Sequence, residues 1–378
     1  MPIYFDHNAT TPLDPRVLEA MQACLGGPYG NASSVHRYGR AARDAIEAAR
    51  AQVAALVGAQ PQEVFFTSGA TESNNLALQG ALATAPAAAR LLYGATEHPS
   101  VLETAEALRA AGRAVEVVAV GRDGLLDWAA YETQLSRGPV RLVALMRANN
   151  ETGVIQDVPR AARLAHARGA LLHCDAVQAA GKIPVDFDAL GADLMSLSAH
   201  KIYGPKGVGA LVKRAAVELA PLLHGGGQEH GLRPGTENLP AIVGFGVAAE
   251  LARDELERRA AHCRRLREML EAGLRRLGAV TIFGDSAPRL PNTVQFALAG
   301  WEGEALLMAL DRKGIAVSSG SACSSGKGEP SHVLLGMGWP RELAFGAIRV
   351  SLGPSSTENE IARFLAVLSE LQALGAAA

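Results

Sequence analysis

The sequence predicts an α/β fold: a large domain with a mostly parallel, seven-stranded-type sheet sandwiched by helices, and a smaller α+β domain at the C-terminal end. Three observations carry this. Between about residues 40 and 250, short apolar runs (VFFTSG, RLLYGATEH, RLVALMRANN, ALLHCD, DLMSLSAH, GVGALVK) alternate with helix-patterned stretches, as repeated βα units do. The runs are apolar throughout instead of alternating, which suits strands buried on both faces. After a long charged helix near 251–277 the texture changes to VTIFG, NTVQFAL, IAVSSGSAC and AIRVSLG, with one helix over 303–313 and a final helix. The boundary falls near residue 255, so that 14–255 form the large domain, while 1–13 and 256–378 form the small one.

Each element has a local reason. In ARDAIEAARAQVAALVG, Ile46, Ala49, Val53 and Leu56 recur at helical spacing and Gly58 follows as a C-terminal cap. After VFF, the turn Thr67-Ser68-Gly69-Ala70-Thr71 feeds a helix beginning SNNLALQG; it is an anion site or a plain N-cap. The run RLLYGAT ends on Glu97-His98, RLVALMRA on Asn149-Asn150-Glu151, and ALLHC on Asp175 with Gln178 three residues on. In open α/β sheets ligands bind beyond the carboxyl ends of the strands, so these residues share one sheet edge. A carboxylate there needs a cationic or hydrogen-bonding partner, although a capping Asp is the plainer reading. The run DLMSLSA ends on His200-Lys201, followed by a glycine-rich turn. The chain has only six lysines, and one set directly after a buried strand is a candidate nucleophilic amine.

Composition narrows the class. The 378 residues are 48% hydrophobic and 20% charged with a net charge of −2, which fits a globular protein and excludes fibrous and disordered ones. Charges are interspersed, as in RRLREMLEAGLRR, so neither a nucleic acid nor another polyanion is implied as a partner. The start MPIYFDHNATTP lacks a basic, apolar leader and no run offers a membrane span, which reads as a cytoplasmic protein. Four scattered cysteines, Cys24, Cys174, Cys263 and Cys323, show neither disulfide nor metal-ligand spacing. Cys323 stands apart in SSGSACSSGKGEPS, too polar and small-residued a stretch to bury it; it is an accident of a loop or a reactive thiol.

Lysine, carboxylate and anion turn together match the needs of pyridoxal phosphate: an amine for its aldehyde, an acid for its ring nitrogen and a site for its phosphate. The motifs YFDHNATTP, FTSGATESNN, ATEHPSV, NNETGVIQD, HCDAVQ, SLSAHKIYGPKGVGAL, HGGGQEHGLRPGTEN, SGSACSSGKGEPSHVL and IRVSLG resemble, in order and over nearly the whole chain, the cysteine desulfurases. These are a group within the class V aminotransferase family of fold-type I pyridoxal-phosphate enzymes. The resemblance implies that Lys201 bonds the cofactor aldehyde, Asp175 pairs with the pyridine nitrogen, Gln178 bonds the phenolic oxygen and His98 stacks on the ring and moves protons. It further implies that Ala70, Thr71, Ser198 and His200 hold the phosphate with Thr236 of a second subunit, and that Arg349 clamps the substrate carboxylate with Asn150 assisting at the cofactor face. Cys323 is implied to take the sulfur from L-cysteine as a persulfide, leaving L-alanine. Two departures, Pro234 where the family often has Ser and Cys174 where an apolar residue is common, remove no catalytic group.

The expected function is thus a pyridoxal-phosphate-dependent cysteine desulfurase, a homodimer that passes sulfur to acceptor or scaffold proteins for iron–sulfur cluster assembly or tRNA thiolation. A resident metal is not expected; the one metal contact allowed is a transient one between Cys323 and an acceptor's iron–sulfur cluster. The rivals are an aminotransferase, which leaves the GSAC stretch unexplained, a selenocysteine lyase, and a silent homologue, which would be expected to have lost part of the Lys201, Asp175, His98 and Cys323 set.

Overall fold

The computed structural model describes residues 2–27, 29–319 and 329–375. Its strands in chain order are β1 (Ile3–Tyr4), β2 (Val64–Thr67), β3 (Arg90–Gly94), β4 (Val115–Val118), β5 (Val140–Ala144), β6 (Leu171–Asp175), β7 (Leu194–Ser198) and β8 (Gly209–Lys213), then β9 (Val280–Ile282), β10 (Thr293–Leu298), β11 (Ile315–Ala316), β12 (Ser318–Ser319) and β13 (Ala347–Ser351). The large sheet has the order β2-β8-β7-β6-β5-β3-β4. Only β8 runs against its neighbours, so the carboxyl ends of the other six open on one edge.

Alternate side chains of these strands enter two different cores. On β2, Phe65 packs with Leu76, Tyr93 and Leu211 on one face, whereas Phe66 joins Leu172, Met195 and Phe245 on the other. Both faces are therefore dry, which is why the strand runs read as continuously apolar. The second sheet, β12-β13-β10-β9, is antiparallel throughout and has its own core, in which Phe5 and Phe296 meet Phe364 edge to face. The N-terminal segment links the two: β1 pairs in parallel with β11, and Thr11 then reaches the turn after β7, its backbone N and Oγ1 donating to the His200 carbonyl at 3.1 and 2.9 Å.

Three expectations shift. The helix expected over 251–277 is two helices, Leu239–Asp254 and Leu256–Leu277, broken at Glu255, whose carboxylate is drawn off by Arg16 and Arg259. The edge strand β4 is absent from the predicted set; its VEVV sequence is mostly half-buried to exposed. The single strand expected over IAVSSG is interrupted between β11 and β12, which belong to different sheets. Among the described residues, no helix is long and apolar enough to cross a membrane.

Candidate active site

A cavity of about 550 Å³ opens at the carboxyl edge of the large sheet and is closed from the other side by β13 and the N-terminal segment. Ala70, Thr71, His98, Asn150, Asp175, Gln178, Ser198, His200, Lys201 and Arg349 all line it. Thr236 does not line this cavity in its own chain, and Cys323 lies outside the described residues.

Each wall follows from its element. The helix Ala70–Ala83 starts at Gly69, a cap without a side chain, so its first N–H groups face the cavity as an anion site. The start of β8 comes so close that a Cβ on Gly209 would stand 2.7 Å from Gly69 Cα and 2.6 Å from the Leu197 carbonyl. Asp175 closes β6; its Oδ1 accepts from Val177 N at 3.0 Å and its Oδ2 from Asn74 Nδ2 at 2.8 Å, which fixes the carboxylate with little exposure. His98 caps the helix Pro99–Ala110 by accepting from Ser100 N at 3.1 Å on Nδ1, which leaves the proton of its neutral ring on Nε2. Burial lowers the His98 pKa, Asp175 opposes this and Lys201 and His332 add to it. Burial also pulls His200 down to about 4, with Lys201, Lys206 and Lys182 adding to the effect.

Lys201 follows β7 and donates from Nζ to the carbonyls of Asn8 and Ala9 at 2.5 and 2.7 Å. Two residues on, Tyr203 adopts a left-handed φ of 71°, a strained conformation for a non-glycine residue. It is held by Thr11 Oγ1 on its N–H at 2.9 Å and by its hydroxyl 3.1 Å from His7 Nδ1. Arg349 on β13 is 3% exposed, with Nη2 donating to Asp6 Oδ1 at 2.6 Å and Nη1 to the Asn150 carbonyl at 3.1 Å. Its Nε is buried with no hydrogen-bond partner among the described residues, and the residue lines the cavity, which sets a guanidinium where a carboxylate can be received.

This donor set fits pyridoxal phosphate: an amine, a fixed carboxylate and an uncapped helix start with hydroxyl and imidazole neighbours share one cavity. Sequence reasoning overlooked Asn8, Asn74, Ser100 and Lys182, which carry the second layer of contacts. Asn74, a wholly buried amide beside the equally buried Ser73, sits in the polar first half of its helix, where nothing in the sequence sets it apart from Asn75. Among the described residues no cluster of histidine, cysteine and acidic side chains could hold a metal.

Comparison with known proteins shows the family and the fold. The family model described as Aminotransferase class-V matches residues 3–364. A cysteine desulfurase IscS of Anaeromyxobacter dehalogenans (strain 2CP-C) is 48% identical over 96% of this chain and 90% of its own length. Among solved structures, a NifS-like protein superposes with a TM-score of 0.93 at 41% identity, covering 99% of this chain and all of the other. SspA in complex with cysteine superposes with a TM-score of 0.81 at 33% identity, over 94% of this chain and 100% of that one.

Proposed function

The chain belongs to the class-V aminotransferase family as a cysteine desulfurase using pyridoxal phosphate, and from that premise we propose which of its residues do the work. The carrying observation is that Lys201, Asp175 and His98, which follow or close three strands of the large sheet, and Arg349, from the middle of β13, line one cavity. Lys201 would hold the cofactor aldehyde, Asp175 the ring nitrogen, Gln178 the phenolic oxygen, and the Gly69-capped helix start with Ser198 and His200 the phosphate. Pyridoxal phosphate, when bound, supplies the electron sink that makes the substrate Cα–H acidic and the C–S bond breakable.

The chain's own groups do the rest. Arg349, steadied by Asp6, binds the cysteine carboxylate and points Cα at the Lys201 amine, which takes and returns the proton. His98, uncharged and carrying its proton on Nε2, covers the site and passes a proton toward the leaving product. The Cys323 thiolate attacks the substrate sulfur; the C–S bond breaks, an S–S bond forms, and alanine leaves with a persulfide on Cys323. Thr236 completes the phosphate site of a second subunit in a homodimer, and an acceptor protein collects the sulfur.

The test is alanine release from L-cysteine, with mass spectrometry of the peptide containing Cys323. Cys323→Ala and Cys323→Ser retain bound cofactor and lose at least a hundredfold in rate, about 2.7 kcal/mol of barrier, and the added sulfur atom appears on Cys323 in the wild type alone. A serine variant with most of the rate, or sulfur found only on Cys24, Cys174 or Cys263, refutes the assignment.

A further inference from the structure

Behind the wall formed by Gln178 and Lys201 lies a basic side chain to which the proposed roles assign nothing. Lys182 directs Nζ at two neutral amide oxygens, Gln178 Oε1 at 2.5 Å and Asn8 Oδ1 at 2.9 Å. Both amides belong to side chains of residues that are 5% and 1% exposed. An amide is nearly symmetric in shape, so swapping its oxygen and nitrogen ends costs no space, and only the hydrogen bonds decide between the two. With Lys182 donating, a flipped Gln178 would set N–H against N–H. Gln178 is therefore locked with Nε2 turned away from Lys182, where it donates at 3.0 Å to the Asn8 carbonyl, the same oxygen that accepts from Lys201 Nζ. Asn8 is locked likewise: Oδ1 also accepts from Asn292 Nδ2 at 3.1 Å, and Nδ2 donates to the Asn150 carbonyl at 3.1 Å and to Thr293 Oγ1 at 2.9 Å.

We propose that Lys182 is a positioning residue for the desulfuration: by holding the oxygen ends of Gln178 and Asn8 it makes Gln178 meet the cofactor's phenolic oxygen with an N–H and keeps the Asn8 carbonyl under the Lys201 amine. The inference rests on the reading of Gln178 given above. An N–H donated to the phenolic oxygen favours its anion, which lowers the pH at which the protonated lysine–cofactor link loses its proton. Burial, with Lys201 and Arg349 close by, also pulls the Lys182 pKa well below the ordinary lysine value. Facing the cofactor position in the cavity are Glu72, His98, Asp175, His200, Lys206 and Arg349. Behind Lys201, the small cavity beside Lys182 brings in His7, Tyr203, Arg259 and Cys263. All of these stay constant in the variants below, so a change in titration traces to Lys182 or Gln178.

The experiment is a pH titration of the visible absorbance of the holoenzyme in wild type, Lys182→Met, Gln178→Leu and the double variant. Each single change is expected to raise the midpoint by about one pH unit, a tenfold change in the proton equilibrium, and the double variant to add little beyond the larger of the two. Lys182→Arg, which keeps N–H donors, is expected to return the midpoint toward wild type. If Gln178→Leu shifts the midpoint and Lys182→Met does not, the proposal is overturned, and a loss of thermal stability without a shift leaves Lys182 a packing residue only. If neither moves it, Gln178 does not meet the phenolic oxygen and the proposal falls with that reading. Should Lys182→Met not fold, Lys182→Gln, whose shorter side chain withdraws the donor, is titrated in its place, with the same shift expected and an unmoved midpoint equally fatal.

Discussion

His173 sits fully buried on β6, with Nε2 2.9 Å from Ser196 Oγ, and burial holds its pKa down to about 4. In the unfolded chain the ring takes up a proton near the ordinary 6.5. Between those values the unfolded state binds a proton that the native state refuses, so stability rises with pH across this window and falls as pH drops through it. The slope from this one group is about 1.4 kcal/mol per pH unit. His173→Gln keeps a polar partner for Ser196 and removes the titration, so its denaturant-unfolding free energy, followed from pH 4.5 to 7, should be flatter than wild type by that amount. Asp175 and Lys201 were legible in the sequence because a charge at the end of an apolar run is costly unless it is used, and lysine is scarce here. Asn8 and Lys182 were not, because what defines them is a contact between positions 174 residues apart, and nothing local to either marks it.

At the scale of elements, the Gly69 turn and the first residue of β8 depend on each other. Gly209→Ala would force the strand away from the turn, since the new Cβ has backbone on two sides. The expected loss is about 1–3 kcal/mol of stability, together with weaker retention of pyridoxal phosphate, checked by thermal unfolding and by cofactor content after dialysis. A destabilised Gly209→Ala that holds the cofactor as tightly as wild type would dissociate the strand from the anion site. The βα alternation was readable because burial of both sheet faces writes itself into composition. The helix break at Glu255 and the division between β11 and β12 were not, because each is decided by partners far along the chain: Arg16 for the first, β1 and β13 for the second.

Across the whole molecule, Glu151 joins the loop after β5 to the second sheet and to the helix His332–Gly336: its Oε2 accepts from Gln295 Nε2 at 3.0 Å and from Ser331 Oγ at 2.5 Å. Burial raises its pKa, so the native state keeps a proton that the unfolded chain gives up near 4.5, and the associated stability is lost as pH rises from there. Glu151→Gln supplies the same acceptor without the ionisation and should match or exceed wild type in melting temperature at pH 8, whereas Glu151→Ala, which strands two buried donors, should cost about 2–3 kcal/mol. The N-terminal segment makes the other junction, and its geometry has a bearing on biosynthesis. The carbonyls that hold Lys201 belong to Asn8 and Ala9, yet this segment is seated by β11 and by Ser351 at the end of β13. A ribosome that has made the large sheet has therefore made every strand-end group of the cavity, but residues 3–9 still lack the strands they dock on. The Asn8 and Ala9 side of the pocket therefore has its seat only once the stretch through Ser351 has left the exit tunnel, and a chain released early by a stop codon lacks the β11 and β13 contacts that place those two carbonyls.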